Sequence, residues 1–302
     1  MDAKIIKMPQ ADYRPRISVI MVSYMTGPAL IEAVGAVLDD SDIYELILVD
    51  NGSNEAGRQS LGRLVARDDR VRLIQGQGNI GFAKGCNYGA EFARGELFLF
   101  LNPDAVISIG SARRLAECGK NLELPWIVGG LLRNIDGREQ RGSRRRELTP
   151  LSAFVSFTGL HKLPGIRSIH MEKDPVPMGP EAVAVVSGAF MMMCRSSFEQ
   201  IGGFDEEYFL HVEDIDVCRR ARELGGQVLF HPKASVMHYG STSAVRRQKV
   251  EWEKLKGFIY YFRKYAKGTR GKLMAWLSIP FMTVAIMGRA WYLVLRQAFR
   301  GA

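Results

Sequence analysis

Four apolar runs within the first hundred residues constrain the fold more than any other feature of this chain. Each is rich in Val, Ile, Leu or Phe, shows little polar alternation and ends in polar or turn-forming residues, which is typical of strands buried on both faces. The runs are ISVIMVSY (17–24), ELILVD (45–50), VRLIQ (71–75) and ELFLFL (96–101). Helical segments and short connections separate them. This alternation predicts an α/β fold with a mainly parallel central sheet, flanking helices and right-handed crossovers.

Polar clusters follow two of the predicted strands, at the sheet edge where such folds bind ligands. Asp50 opens the cluster Asp-Asn-Gly-Ser, and Asn102-Pro103-Asp104 follows the fourth strand. The Asp50 carboxylate can accept the N3–H of uracil or thymine, and equally can accept from guanine; an Asx turn is the alternative. Asn102 and Asp104 offer oxygen ligands to a divalent cation on a diphosphate, with a plain β-turn as the alternative.

The spacing of the glycines and of the cysteines argues against two common kinds of site. The segment GQGNIGFAKG (76–85) follows the third strand and lacks the G-x-G-x-x-G spacing, so a Rossmann cofactor site is discounted. Its backbone N–H groups could still face a nucleotide or phosphate, or form a turn without a ligand. The four cysteines show no C-x-x-C spacing, which favours reduced thiols over a zinc site or a disulfide framework.

The second half of the chain is less regular. We expect an exposed basic loop, a strand interrupted at Ser187-Gly188, a helix, and two strands of which the second ends at His238. The corresponding segments are GREQRGSRRRE (137–147), AVAVVSGAFMMM (182–193), EDIDVCRRARELG (213–225), QVLF (227–230) and ASVMH (234–238). Glu213 and Asp214 at the helix start indicate N-terminal capping by default, and a catalytic base only if they face a pocket.

The positive charge of the protein is concentrated in its tail. The chain of 302 residues has a net charge of +9, and residues 246–302 hold 13 Lys or Arg against two Glu. A stretch of 23 residues (273–295) then contains Arg289 as its only charge and also contains Pro280. This pattern predicts a helical tail that spans a membrane or lies on its anionic surface. Helices packed on the preceding domain are the alternative, mainly for residues 246–265.

Six segments, in this order, resemble family 2 glycosyltransferases, and among them the rhamnosyltransferase-like branch of bacterial surface polysaccharide assembly. The segments are ISVIMVSY, LILVDNGS, GNIGFAKGCNYG, FLFLNPD, VSGAFMMMCRSSFEQIGGFDEEYFLHVEDIDVCRRARELG and HPKASVMHYGSTS. The resemblance covers residues 17–243. It implies a GT-A fold, and it gives the domain organisation as an N-terminal extension (1–16), a GT-A domain (17–243) and a membrane-associating tail (244–302). The extension has no apolar region of the kind found in signal peptides.

The resemblance also implies the chemistry and the site residues. It implies an inverting transfer of a sugar, most simply L-rhamnose from dTDP-L-rhamnose, with Mg²⁺ or Mn²⁺. Asp214 matches the general base, with Glu213 beside it, and Asp104 and His238 match metal ligands. The residues that would line the nucleotide are Ser23, Asp50, Asn79, Gly81, Lys84 and Asn102. Asn102 departs from the Asp-x-Asp motif of many relatives and leaves one carboxylate fewer.

The expected acceptor is a saccharide linked to polyprenyl diphosphate, reached from the cytoplasmic face of the cell membrane by a peripheral or C-terminally anchored enzyme. No nucleic-acid partner is expected, and a homo-oligomer stays an open alternative. Other readings are a UDP- or GDP-sugar donor, a nucleotidyl transfer, or a catalytically silent membrane-bound scaffold. Deletion of residues 246–302 is expected to release the protein from membranes and to spare donor hydrolysis.

Overall fold

The computed structural model describes residues 15–66, 68–240 and 245–300, so most of the N-terminal extension lies outside the described residues. The four apolar runs form the first four strands of a central sheet: β1 (Ile17–Ser23), β2 (Ile43–Asp50), β3 (Val71–Ile74) and β4 (Leu97–Leu101). They lie in the order β3-β2-β1-β4, and each neighbouring pair is parallel. All residues of β1 and β4 are buried, which explains the lack of polar alternation in their sequences.

Later strands complete the sheet, and several of them pair in the antiparallel direction. They are β5 (Ala105–Ile107), β6 (Trp126–Arg133), β7 (Arg144–Arg145), β8 (Glu181–Ala182), β9 (Val185–Val186), β10 (Phe190–Cys194) and β11 (Gln227–His238). In the described residues, β10, β6, β11 and β5 extend the order beyond β4, β8 pairs with β11, and β7 pairs with β9. The fold is therefore α/β with a mostly parallel central sheet, as predicted.

Helices cover both the early crossovers and the later segments. Those before the tail are α1 (Pro28–Asp39), α2 (Glu55–Val65), α3 (Phe82–Phe92), α4 (Ser111–Gly119), α5 (Pro150–Thr158), α6 (Arg195–Ile201) and α7 (Glu213–Glu223). A 3-10 turn, Leu160–Lys162, follows α5. Pro28 and Pro150 stand in the first turns of their helices, where the missing N–H has no helical partner to lose.

Two expectations about local structure are wrong. The segments QVLF and ASVMH form one strand, β11, which continues past Pro232 with a register irregularity between His231 and Ser235. A bulge tolerates a proline because the extra residue is already unpaired.

The basic segment 137–147 is not simply an exposed loop. Arg144 is 1% exposed, donates to Glu139 through Nε at 3.0 Å, and places its guanidinium 5.1 Å from the centre of the Phe230 ring. A buried charge is tolerated when it is paired and hydrogen-bonded. The composition of the segment could not reveal that Arg144 is buried, because its burial depends on strand β7 pairing with β9.

The tail forms two helices, α8 (Arg247–Lys264) and α9 (Gly268–Arg300). Helix α8 buries Leu255, Gly257, Tyr261 and Phe262 against the rest of the chain. Helix α9 packs against α8 and α5. Within the described residues, α9 holds the one stretch long and apolar enough to cross a membrane, Gly268–Gly288, with a mean hydropathy of 1.3.

Candidate active site

The turn after β2 is held in place by its own side chains and by the glycine-rich turn beside it. Ser23 and Asp50 end their strands side by side in register. The hydrogen bonds that reach the Asp50 carboxylate from described residues end on Oδ1, from the N–H of Gly52 at 3.3 Å and of Ser53 at 2.8 Å. The Asx turn and a base-binding role are therefore compatible, since Oδ2 receives no hydrogen bond from the described chain.

Asn51 joins this turn to the glycine-rich turn. Its Nδ2 donates to Asn79 Oδ1 and to the Gly81 carbonyl, both at 3.1 Å, and its Oδ1 accepts the Ile80 N–H at 3.0 Å. Sequence reasoning singled out Asp50, Asn79 and Gly81, and the structure brings them together through Asn51, which it missed. The available signal in the sequence was that Asn51, which carries a side-chain amide, directly follows Asp50.

Lys84 lies in the first turn of α3, where its ammonium is 3.2 Å from Glu206 Oε2 and its side chain is half exposed. The structure thus places the Lys84 ammonium against the loop that precedes α7. It makes no described contact with Asp50 or Asn79.

Asn102, Asp104 and His238 converge where β4, β5 and β11 meet. Strand β5 pairs with β11 so that Ala105 lies opposite His238, which brings the neighbouring Asp104 to the histidine ring. His238 Nε2 lies 3.1 Å from Asp104 Oδ1 and 3.2 Å from Asn102 Nδ2. Both Asp104 and the ring of His238 are largely buried.

Gln140, which sequence reasoning missed, orients the His238 ring. Gln140 Nε2 donates to the His238 carbonyl at 3.2 Å, so its Oε1 faces Nδ1 at 2.6 Å. Because this oxygen can only accept, Nδ1 carries the proton, and Nε2 of the neutral ring presents a lone pair. We name Asn102, Asp104, Gln140 and His238 the Asp104–His238 cluster.

The Asp104–His238 cluster fits a divalent cation that is shared with a substrate. In the neutral ring, two acceptor atoms, Nε2 and Asp104 Oδ1, lie 3.1 Å apart, and a cation between them removes their repulsion. A histidine whose second nitrogen donates to an amide oxygen is a common form of metal ligand. No group of three or more His, Cys, Asp or Glu side chains able to hold a metal occurs in the described residues. Further ligands would be oxygen atoms from Asn102, from a phosphate or from water.

Glu213 and Asp214 open α7, and Arg145 meets them from β7. The Arg145 guanidinium forms an ion pair with Asp214 Oδ2, which also accepts the Gly188 N–H at 3.2 Å. Sequence analysis did not single out Arg145, because nothing in the run of three arginines shows which one reaches Asp214. We name Glu213, Asp214 and Arg145 the carboxylate cluster.

The two carboxylates of this cluster have different surroundings. Asp214 has a guanidinium and backbone N–H groups as partners, whereas Glu213 Oε2 is buried and, among the described residues, has none. Burial first, and then the charge of Asp214, raise the pKa of Glu213. Burial also lowers the pKa of His211, just before the pair, to about 3. A buried carboxyl group with a raised pKa, next to a second carboxylate in different surroundings, is a recurrent feature of acid–base sites.

A short turn joins the two clusters. Asn102 N–H donates to the Ala189 carbonyl at 3.0 Å, while the preceding residue, Gly188, donates its N–H to Asp214. A Cβ on Gly188 would lie 3.3 Å from the Cβ of Asp214, so a larger residue would crowd the carboxylate. The Ser187-Gly188 interruption seen in the sequence is therefore where the Asp104–His238 cluster and the carboxylate cluster meet.

Polar turns thus lie at one edge of a mostly parallel sheet, with a cation-compatible cluster beside a carboxylate pair, in an arrangement that suits an enzyme acting on a diphosphate. The family model "Glycosyl transferase family 2" matches residues 18–202, and "Glycosyltransferase like family 2" matches residues 167–254. The chain belongs to glycosyl transferase family 2 and is a glycosyltransferase. The resemblance drawn from its sequence motifs is confirmed.

Two relatives share much of the chain. It is 27% identical over 242 residues to the N-acetylglucosaminyl-diphospho-decaprenol L-rhamnosyltransferase of Mycobacterium tuberculosis, covering 76% of this chain and 78% of that protein. It is 24% identical over 235 residues to the rhamnosyltransferase WbbL of Escherichia coli, covering 74% of this chain and 84% of that protein.

Solved structures share the fold. GalNAc-T7 with UDP, GalNAc and Mn²⁺ aligns with a TM-score of 0.58 at 15% identity, over 90% of this chain and 56% of that one. The mannosyltransferase PcManGT of Pyrobaculum calidifontis, in complex with GDP-Man and Mn²⁺, aligns with a TM-score of 0.58 at 15% identity, over 96% and 77%. These neighbours confirm the GT-A fold.

Proposed function

We propose that this glycosyltransferase inverts configuration as it transfers L-rhamnose from dTDP-L-rhamnose to a saccharide linked to polyprenyl diphosphate, in the synthesis of a cell-surface polysaccharide. Two relatives that cover about three quarters of the chain are named rhamnosyltransferases, and one name specifies a diphospho-decaprenol acceptor. The observation that carries the proposal is the junction at Gly188–Ala189. It places a carboxylate pair next to a cluster suited to a diphosphate-bound cation.

The nucleotide would lie on the turns after β1, β2 and β3. Asp50 would accept the N3–H of the thymine base through Oδ2. The turn that contains Asn79 and Gly81, joined to Asp50 by Asn51, would offer its backbone to the rest of the nucleotide. Ser23 and Asn102 would complete this surface, and Lys84 at the start of α3 would stand at its rim.

The diphosphate would lie against the Asp104–His238 cluster. Asp104 and His238 would hold Mg²⁺ or Mn²⁺, with Asn102 beside them, and the cation would supply positive charge to the departing nucleoside diphosphate. Gln140 keeps the proton of His238 on Nδ1, so Nε2 is an acceptor, and it would exchange the amide of Asn102 for the cation.

Asp214 would act as the general base. An inverting transfer requires a group that removes the proton from the acceptor hydroxyl while that oxygen attacks the sugar carbon from the face opposite the diphosphate. Arg145 pairs with Asp214 Oδ2, and the Gly188 N–H donates to the same oxygen, so the carboxylate is held in place. The raised pKa of Glu213 favours its neutral form, so Glu213 would add no second negative charge near the attacking oxygen.

Helix α9 would attach the enzyme to an anionic membrane surface. Leu273, Trp276, Leu277 and Val284 recur at helical spacing on one face, and are 58%, 69%, 67% and 73% exposed. The opposite face buries Ala275, Met282 and Ile286. Because one apolar face of α9 packs on the protein, the other apolar face is available to the apolar interior of a membrane.

The surroundings of α9 fit the same role. On α5, the ring of Phe154 is 5.0 Å from that of Phe281 and is itself 45% exposed, so the apolar surface continues beyond α9. Lys267, Arg270 and Lys272 are exposed at the start of the helix, where cations are attracted by anionic lipids. This location would bring the site to a lipid-linked acceptor.

A donor panel tests the reaction. Full-length protein is incubated with dTDP-L-rhamnose and with UDP- and GDP-sugars, with and without a polyprenyl-diphosphate-linked acceptor, and release of nucleoside diphosphate is measured. Release from dTDP-L-rhamnose, increased by acceptor, is expected. Release from another sugar nucleotide alone would overturn the proposed donor. Release of pyrophosphate would indicate nucleotidyl transfer, and no release from any donor would favour a silent scaffold.

A liposome assay tests the membrane attachment. The truncation expected from the sequence, at residue 246, would remove α8 as well, so the informative variant lacks residues 268–302 only. Full-length protein should sediment with anionic liposomes at low salt, and the truncated protein should stay in solution while retaining donor hydrolysis. Equal sedimentation of both forms would refute the role of α9.

A further inference from the structure

The backbone just before the carboxylate cluster is strained. His211 and Val212 adopt φ values of 67° and 74°, in the left-handed region that L-residues with a Cβ rarely enter. Val212 is β-branched, for which this conformation is a true outlier, and it is buried. Consecutive residues keep such a conformation only when the surrounding structure holds them there.

Helix α8 of the tail is the element that lies against this turn. At Gly257, a Cβ would be 3.1 Å from the His211 carbonyl oxygen and 3.1 Å from Val212 Cγ2. A glycine here lets the helix backbone approach the turn directly. The contact lies one residue before Glu213 and two before Asp214.

The C-terminal end of α8 binds the segment on both sides of the same turn. Lys264 Nζ is 2.7 Å from Asp205 Oδ2 and 2.7 Å from Asp216 Oδ1. Asp205 precedes the turn and Asp216 follows it. Asp216 is fully buried, and Tyr265 OH donates to it at 2.8 Å, while Tyr260 OH donates to Asp205 at 3.1 Å.

The segment between these two aspartates also contacts the nucleotide side of the site. The Phe209 carbonyl accepts the Phe82 N–H at 2.7 Å, directly after the glycine-rich turn. The segment 205–216 therefore lies between α8 and the turn that would bind the nucleotide, and it carries Glu213 and Asp214 at its end.

We propose that α8 is a positioning element of the active site, in which Gly257 and Lys264 hold the His211–Val212 turn and thereby orient Asp214 toward the acceptor hydroxyl. This proposal rests on the proposed function, since it assumes that Asp214 removes a proton in the transfer. It gives the tail two roles: α8 orients the carboxylates, and α9 attaches to the membrane.

Gly257→Val tests the contact with the turn, and Gly35→Ala serves as the control. Gly35 also lies inside a helix, but a Cβ there would meet nothing within 4 Å. In full-length protein, Gly257→Val should lower kcat by ~10–100-fold, as expected when a reacting group is displaced by about an ångström. In Gly257→Val, KM for the donor and the affinity for the nucleoside diphosphate should change by less than about threefold. In Gly35→Ala, kcat, KM and this affinity should all change by less than about threefold.

Lys264 gives a second test with a conservative rescue. Lys264→Met should lower kcat in the same manner, and Lys264→Arg, which keeps a cation between the two aspartates, should recover most of it. If Lys264 had a purely structural role, the substitution would lower the melting temperature and the amount of folded enzyme. Transfer activity and nucleotide-binding capacity would then fall together, without this separation of kcat from KM.

Hydrogen exchange separates failure of this proposal from failure of the proposed function. In folded Gly257→Val, amides of residues 205–216 should exchange faster than in wild type, whereas those of β1 and β4 should not, whether or not the donor is correctly identified. Unchanged exchange in that segment, or an unchanged kcat in a folded variant, would overturn the positioning role. If the segment exchanges faster in Gly257→Val but the wild-type protein uses no sugar donor, only the proposed function is overturned.

Discussion

The Asp104–His238 cluster and the carboxylate cluster meet at Gly188–Ala189, yet they are balanced in different ways. The first places a carboxylate oxygen 3.1 Å from a histidine nitrogen, a pair of ligand atoms that suits an added cation. The second already contains its cation, because Arg145 pairs with Asp214. Under the proposed function the two are complementary: the first would bind added positive charge, and the second would supply the base.

The two clusters also differ in how they are held. The Asp104–His238 cluster depends on the register of β5 and β11 and on one glutamine. The carboxylate cluster depends on a strained turn, a strand of the second half and a helix of the tail. We therefore expect changes at the first to affect metal-linked binding, and changes at the second to affect turnover.

The largest expected effect is that of Asp214→Asn. It removes the proposed base but keeps the size and part of the hydrogen bonding of the side chain, so kcat should fall by ~10² or more, within the range of losses of a general base. Binding of the nucleoside diphosphate, measured by calorimetry, should persist. A variant that transfers sugar at nearly the wild-type rate would show that another residue removes the proton.

Asp104→Ala should have the next largest effect, on metal-linked binding. We expect binding of the nucleoside diphosphate in the presence of Mn²⁺ to weaken by ~10²-fold, and binding of the free nucleoside to change little. His238→Ala should act in the same direction. Equal losses for both ligands would mean that Asn102-Pro103-Asp104 is a structural turn.

A smaller effect is expected at Gln140, which touches neither substrate nor metal in this scheme. Gln140→Leu keeps the volume but removes the acceptor for His238 Nδ1–H, so metal-linked binding should weaken by ~10-fold. Gln140→Glu keeps an acceptor and should stay nearer to wild type. If the leucine variant binds Mn²⁺ and diphosphate normally, the histidine does not depend on this hydrogen bond.

The smallest effect concerns the pH dependence of stability through Glu213. Burial, together with the charge of the neighbouring Asp214, raises its pKa above 4.5, against the opposing charge of Arg145; Asp216 adds to the increase. The folded state then holds a proton that the unfolded state has lost, so stability decreases as pH rises from the unfolded value through the folded one. The contribution is fully present only below the unfolded value.

Glu213→Gln should remove this decrease. Relative to wild type, its free energy of unfolding should improve between pH 5 and pH 8 by on the order of 1 kcal/mol, as measured by denaturant titration at several pH values. Glu207→Gln, an exposed position in the preceding loop, serves as the control. Parallel pH profiles for wild type and Glu213→Gln would show that Glu213 is ionised in the folded protein.

How far the site could be predicted depended on the strand ends. Asp50, Asn102, Asp104 and His238 all follow or end apolar runs, and a parallel sheet brings such ends to one edge. Asn51 and Gln140 are polar residues in turns, and their sequence neighbours do not indicate which atoms they meet. Arg145 lies in a run of arginines that resembles a solvated loop, and its inward direction depends on β7 pairing with β9.

The sequence by itself determined the α/β class, the family, the strands that carry the polar turns, and the concentration of charge and apolar residues in the tail. These depend on local periodicity and on residues adjacent along the chain. Only the tertiary structure decided that Arg145 neutralises Asp214, that Gln140 orients His238, and that α8 lies on the strained turn while α9 keeps an apolar face exposed. Each of these depends on how distant segments pack together, and therefore on burial and distance, which the order of residues does not contain.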